Sequence, residues 1–197
     1  MEKINIRIAQ SKNIKKKGNF LSRLIFDEIL STFLINSNIK KNFKRKKKVP
    51  KKINNDLINY AEKKIGFKLT LDQINAIKEI NKDISSEERM FRLLQGDVGS
   101  GKTVVSLLAA QNVVFNNYQV AFMAPTEILA KQHFKLYKKI FDETFKAEFL
   151  TGKTEYKKRK DILNKLEKNK IDIIFGTHAL FQKKVEFKKL GLIIIDE

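Results

Sequence analysis

The chain has 197 residues, 42% hydrophobic and 10% aromatic, which is enough apolar material for the core of one domain with an appendage. With no cysteine and two histidines it can form neither a disulfide nor a thiolate metal site, and a zinc site is not expected. The net charge of +19 points to polyanionic partners, and no apolar run approaches the roughly 18 residues that span a membrane. The start, MEKINIRIAQ, lacks the apolar stretch of a secretory signal, so a soluble intracellular protein is the expectation.

The charge is uneven. Residues 1–65 carry 18 Lys and Arg against 5 Asp and Glu, a net +13, whereas residues 66–197 carry 23 against 17, a net +6. Residues 1–19 read as the tail of a preceding region and residues 20–65 as a basic helical linker. Leu21, Ile25, Ile29 and Phe33 recur at four-residue spacing, widened by Leu24 and Leu30, so an amphipathic helix is predicted from about Phe20 into the lysines. KKNFKRKKKVPKK, Lys40 to Lys52, holds nine basic residues in thirteen positions, and Pro50 is expected to end or kink the helix. Three readings are open: a linker docked by its apolar stripe with solvated charges, an arm that contacts phosphates, and a membrane-surface helix. The last fits less well, because the apolar face has no Trp and the charges sit at one end. A chain rich in Lys, Asn and Ile throughout also leaves AT-rich coding as a source of some of the lysine.

From residue 66 the organisation changes. Thr70 is the expected N-cap of a helix whose stripe is Leu71, Ile74, Ile77 and Ile80. Phe91 to Gln95 reads as a short buried strand and Thr103 to Phe115 as an apolar helix. Between them stands Gly96-Asp97-Val98-Gly99-Ser100-Gly101-Lys102-Thr103, a complete G-x-x-x-x-G-K-[ST] in the strand-to-helix context that such a phosphate loop needs. Glycines allow the tight turn that aims successive N–H groups at phosphate oxygens, and the following helix adds its positive end. Lys102 would meet the β- and γ-phosphates, and the Thr103 hydroxyl would ligate Mg²⁺. Such a loop needs a magnesium-side carboxylate at the end of another strand. LIIIDE supplies Asp196 for the metal and Glu197 to polarise the attacking water.

The intervening elements are predicted as strand Gln119–Met123, helix Thr126 to about Phe141, strand Ala147–Leu150, helix about Glu155 to Lys168, strand Ile171–Phe175 and strand Leu192–Asp196. That alternation gives a parallel three-layer sheet, with ligand loops at the carboxyl ends of the strands. Asn169-Lys170-Ile171-Asp172 matches the N-K-x-D guanine reader, but it ends a charged helix and precedes Asp196, so a GTPase is not the reading. A transporter-type ATPase would need a serine-glycine signature after the loop, and there is none. His133 is expected on its helix surface without a role.

FKLTLDQ, GDVGSGKT, APTEILAKQH, LTGK, GTHAL and IDE, in that order, resemble domain 1 of superfamily-2 helicases. Within that superfamily RLLQGDVGSGKTVV, MAPTEILAKQHF, GTHALFQ and VEFKKLGLIIIDE, together with LSRLIFDEIL and its lysine-arginine run, resemble the RecG family of branched-DNA helicases over about residues 20–197. The transcription-repair translocase Mfd shares this motor, and GTHAL and GSGKT favour RecG. The resemblance implies a RecA-like phosphate-loop fold over residues 66–197, with ATP and Mg²⁺ as ligands and remodelling of replication forks and Holliday junctions in the bacterial cytoplasm, at the nucleoid. It implies that Gln73, with Phe67, lies on the adenine side, although a polar first helical turn would look the same. Pro125 and Thr126, Thr151 and Gly152, and Gly176, Thr177 and His178 would line a DNA track and touch its backbone, the alternatives being an N-cap for Thr126 and a satisfied loop polar residue for His178. It implies further that the chain stops inside a D-E-x-H motif, so the strand that belongs between the loop strand and the acid strand, the second RecA-like domain and an N-terminal wedge domain are missing and the piece is inactive alone. The competing class is a non-catalytic module that grips nucleic acid in response to nucleotide.

Overall fold

The computed structural model describes residues 19–44, 47–141 and 145–196. The expected tail therefore lies outside the described residues except for Asn19, and so does Glu197. The chain divides into two compact units, residues 1–46 and 47–197.

In the first unit α1 runs Asn19–Lys44, and its apolar residues Ile25, Ile29 and Phe33 are exposed. The helix ends before Pro50, not at it. Beyond the helix, residues 47–51 are held in another way. Lys47 forms an antiparallel bridge with Glu88, Lys48 N–H donates to Glu87 O at 2.8 Å, and Lys51 N–H donates to Ile84 O at 3.2 Å. These backbone groups are satisfied across the chain and are not available to a continuing helix. The unit boundary also moves the expected linker boundary. Residues 47–65 belong with the second unit, because Leu57 and Ala61 of α2 (Leu57–Ile65) are buried in its core.

Several lysines of the basic run are spent on this strap. Lys48 Nζ donates to Ile84 O at 2.8 Å and also to Ser86 O. Lys51 is 6% exposed and its ammonium lies 4.3 Å from the Tyr118 ring centroid. Burial pushes the Lys48 ammonium down from its ordinary range, against the pull of Asp83. Burial does the same to Lys51, helped by the charge of Lys48.

The second unit then follows as α3 (Leu71–Ser85), α4 (Lys102–Val114), β1 (Gln119–Met123), α5 (Glu127–Phe141), β2 (Ala147–Leu150), α6 (Tyr156–Glu167), β3 (Ile173–Gly176), a 3₁₀ turn (His178–Phe181) and β4 (Leu190–Ile195). The four strands form a parallel sheet in the order β2-β3-β1-β4. All five residues of β1 are buried, as a central parallel strand requires. Its alternation sorts the core into layers. Val120 and Phe122 join Ile173, Phe175, Leu107, Leu108 and Tyr137 under α2–α5, whereas Ala121 and Met123 join Ile174, Ile162, Leu166 and Leu180 under α6 and the 3₁₀ turn. Phe122 stacks on Phe175 at 5.2 Å, a pair worth about 0.5–1.5 kcal/mol beyond its buried area. This is the three-layer RecA-like α/β architecture.

The strand expected at Phe91–Gln95 is not one. The segment is irregular and Leu93 is 84% exposed. Arg92 anchors it to α3 by donating from Nε to Asp83 Oδ2 at 2.8 Å, and this bond to Asp83 raises the guanidinium pKa further. On its other side a cavity of about 490 Å³ separates it from the outer edge of β4, with Arg92, Leu93 and Gln95 on one wall and Leu192 to Asp196 on the other. Among the described residues no strand stands in that gap to share a ladder with it, and a segment without a ladder is not a strand.

Candidate functional site

Thr70 caps α3, as its sequence context predicts. Its hydroxyl accepts from Gln73 N–H at 3.3 Å, and Gln73 Oε1 accepts from Thr70 N–H at 2.9 Å, a reciprocal capping box. The remaining amide group of Gln73 donates to Ser100 O at 2.8 Å, so this glutamine is bonded to both the helix cap and the phosphate loop. Phe67 is 53% exposed, in the turn that precedes the cap.

The loop from Gly96 to Gly101 turns through left-handed backbone at Gly99 (φ 82°) and Gly101 (φ 81°). The backbone angle at Gly101 favours glycine, and a Cβ there would stand 2.4 Å from Gln73 Nε2, so a side chain would also displace the Gln73 amide. Ser100 N–H closes the turn on Asp97 O at 3.1 Å. Val98 projects into solvent, and α4 starts at Lys102 with Gly101 as its N-cap. The first-turn N–H groups of a helix have no partner four residues earlier, so Lys102 and Thr103 open α4 at its positive end, beside the loop. The Lys102 ammonium folds back over the loop and donates to Gly96 O at 2.7 Å and Asp97 O at 2.9 Å. Two neutral carbonyls hold a cation that a polyphosphate would bind more strongly, which fits the loop to such a ligand.

Asp196 follows β4 and reaches the same place. Its N–H donates to Met123 O at 2.9 Å, which extends the β1–β4 ladder to the carboxyl edge of the sheet. Asp196, Lys102 and Gly96 line the one cavity described above, together with Ser106 of α4. The two ends of the predicted site therefore share a single cleft.

One residue at this site departs from expectation. His133 is not on the surface of α5. It is 7% exposed, tilts against Phe122 at 5.0 Å, and its Nε2 lies 2.7 Å from Asp196 Oδ2. The signal was in the spacing: the buried positions of α5 are Ala130, His133, Tyr137, Ile140 and Phe141, so His133 sits on the helical stripe that faces the sheet.

The residues expected along a DNA track also gather at the carboxyl edge, with differing exposure. Pro125, Thr126, Gly152 and His178 are exposed, Thr177 is half-buried, and Thr151 and Gly176 are buried. Thr126 Oγ1 accepts from Leu129 N–H at 3.2 Å and so caps α5. Thr151 N–H donates to Thr154 Oγ1 at 2.9 Å in the turn after β2. Lys153 in that turn reaches Glu127 at 3.6 Å, bringing the turn beside the start of α5. Gly176 is fixed by packing, since a Cβ there would stand 2.1 Å from Leu150 O, and its carbonyl accepts from Ala124 N–H at 3.0 Å.

Asn169 to Asp172 lie at the opposite edge of the sheet. Asn169 takes the left-handed conformation (φ 56°) that ends α6, Lys170 N–H closes the turn on Lys165 O at 2.8 Å, and Asp172 accepts from Lys146 N–H at 2.8 Å. That is a helix C-terminal motif, remote from the phosphate loop.

Residues 70–197 match the family described as DEAD/DEAH box helicase. The chain is 45% identical to the ATP-dependent DNA helicase RecG of Aquifex aeolicus over 177 residues, which cover 89% of this chain and 22% of that protein. It is 43% identical to the RecG of Thermotoga maritima over 176 residues, covering 89% and 23%. Among solved structures, that of RecG bound to a three-way DNA junction has a TM-score of 0.79 at 42% identity, over 89% of this chain and 24% of that one. The UvsW helicase of bacteriophage T4, with a TM-score of 0.51 at 16% identity over 76% of this chain and 52% of that one, shares the fold. The chain spans under a quarter of the length of the RecG proteins named here.

Proposed function

Because this chain belongs to the DEAD/DEAH box helicase family, we propose that it is the ATP-binding half of a motor that couples ATP hydrolysis to movement along DNA. The observation that carries this reading is the single cavity lined by Lys102 and Asp196. Its likeness to proteins named RecG favours branched DNA, replication forks and Holliday junctions, as the substrate, over the duplex translocation of Mfd.

In this reading the amides of residues 96–103 hold the phosphates, and Lys102 exchanges its two carbonyl partners for phosphate oxygens. Thr103 and Asp196 hold Mg²⁺, which neutralises charge on the phosphates when bound. Glu197 orients the attacking water. Gln73 and Phe67 flank the adenine, with Gln73 also steadying the loop through Ser100. Pro125, Thr126, Thr151, Gly152, Gly176, Thr177 and His178 form the path for a nucleic-acid strand, recognised through its backbone and so without regard to sequence. Among the described residues no helix is long and apolar enough to cross a membrane. The setting proposed is the bacterial cytoplasm, at the nucleoid. The remaining length of the relatives would supply a second RecA-like domain and a wedge.

The test is Lys102→Ala in a full-length protein that carries this segment. A motor loses junction unwinding and keeps DNA binding. A non-catalytic module retains its function, and that result would reject the motor.

A further inference from the structure

We propose that His133 is a positioning residue for Asp196: it holds one carboxylate oxygen so that the other faces the phosphate loop. Three observations carry this. First, Asp196 has its backbone fixed by β1, through the 2.9 Å bond to Met123 O, so only its side chain remains to be oriented. Second, the 2.7 Å contact from His133 Nε2 to Oδ2 is of the length found for strong hydrogen bonds to charged groups. An ionised carboxylate only accepts, so the ring N–H donates and Oδ2 is committed to α5. Third, the imidazole is itself immobilised, buried against Phe122 on the packed face of α5, while Asp196 lines the cavity shared with Lys102 and Gly96. A carboxylate held at backbone and at one oxygen presents the other in a fixed direction.

Partners of this kind orient metal-ligating groups and tune their affinity. The inference rests on the nucleotide-site reading above. It adds a role for a residue outside the expected nucleotide and DNA contacts.

The experiment uses the full-length protein and a fluorescent, non-hydrolysable ATP analogue, titrated with Mg²⁺. His133→Leu keeps apolar bulk and removes the donor, whereas His133→Gln keeps an N–H donor at comparable reach. His133→Met serves if the Leu variant does not fold, and thermal unfolding reports which variants do. The donor-less variant is expected to need roughly 10–100-fold more Mg²⁺ for half-maximal Mg²⁺-dependent binding, with Mg²⁺-independent binding unchanged. His133→Gln is expected to restore the midpoint to within a few fold, and ATPase turnover is expected to fall in kcat more than in KM. The proposal is overturned if the donor-less variant keeps the parent midpoint, or if Leu and Gln variants shift it equally. Failure of the underlying site reading looks different: the parent itself would then show no Mg²⁺-dependent nucleotide binding.

Discussion

Gln73 binds Ser100 O through its amide nitrogen at 2.8 Å while its oxygen accepts from Thr70 N–H at 2.9 Å. One side chain thus couples the cap of α3 to the phosphate loop. A Cβ at position 101 would stand 2.4 Å from that amide nitrogen and push it off Ser100 O.

Gln73→Ala is therefore expected to do two things. Loss of the reciprocal cap bond lowers stability by about 1 kcal/mol, and loss of the tie to Ser100 weakens nucleotide binding. Gln73→Glu keeps the acceptor for Thr70 but sets a carboxylate against a carbonyl, so it is expected to weaken nucleotide binding with little loss of stability. Thermal unfolding and titration with a fluorescent ATP analogue separate the two effects. Unchanged nucleotide affinity in both variants would reduce Gln73 to a helix cap.

Lys51 and Lys41 lie in the same basic run and are expected to behave oppositely. Lys51 is buried over Tyr118, so Lys51→Ala is expected to cost about 1–2 kcal/mol of stability and to leave DNA affinity alone. Lys41 is exposed, so Lys41→Ala is expected to leave stability alone and, if it meets a phosphate, to reduce the slope of log affinity against log salt by about one. Binding isotherms between 50 and 200 mM salt measure the second effect. A slope that Lys41→Ala does not change would assign Lys41 to the solvated face of a linker.

The basic run marks the limit of what residue types alone reveal. A lysine count cannot tell a phosphate contact from a strap, because Lys48 and Lys51 look like their neighbours until Ile84 O, Ser86 O and the Tyr118 ring are placed beside them. The central elements were legible because their signals are local. The span of β1, Gln119–Met123, is the one its apolar run predicts, and α5 begins one residue after Thr126, its cap. The tight turn at Gly99 and Gly101 was legible because glycine spacing states a backbone geometry. Phe91–Gln95 departs from its predicted strand for the converse reason: an apolar run states burial, and only a neighbouring strand makes it a strand. β4 starts two residues before the predicted Leu192, across an irregularity at Gly191 that sets Gln119 opposite Leu190 and Val120 opposite Leu192.

The buried pair Tyr137 and Gln111 yields a pH prediction. Tyr137 Oη donates to Gln111 Oε1 at 2.7 Å, both residues are 0% exposed, and Gln111 Nε2 is buried without a partner among the described residues. Tyr137→Phe strands the oxygen as well, at a cost of about 1–3 kcal/mol. Burial, with the charge of Asp172, holds the Tyr137 phenol protonated far above its ordinary range. The unfolded phenol ionises near pH 10, where the folded one cannot, so this group's contribution is complete below about pH 10 and lost above it. The loss approaches about 1.4 kcal/mol per pH unit. Denaturant unfolding from pH 9 to 11 is expected to show the parent losing stability faster than Tyr137→Phe, and parallel curves would contradict the assignment.

The most direct measurement is the position of a metal. Crystals of a full-length protein carrying this segment, grown with a non-hydrolysable ATP analogue and Mn²⁺ in place of Mg²⁺, would report the ion by its anomalous scattering. The expected peak lies in the cleft between Thr103 and Asp196, with the triphosphate in the loop from Gly96 to Thr103 and the Lys102 ammonium turned from Gly96 O and Asp97 O onto it. A nucleotide bound elsewhere, or a peak remote from both Thr103 and Asp196, would contradict the site.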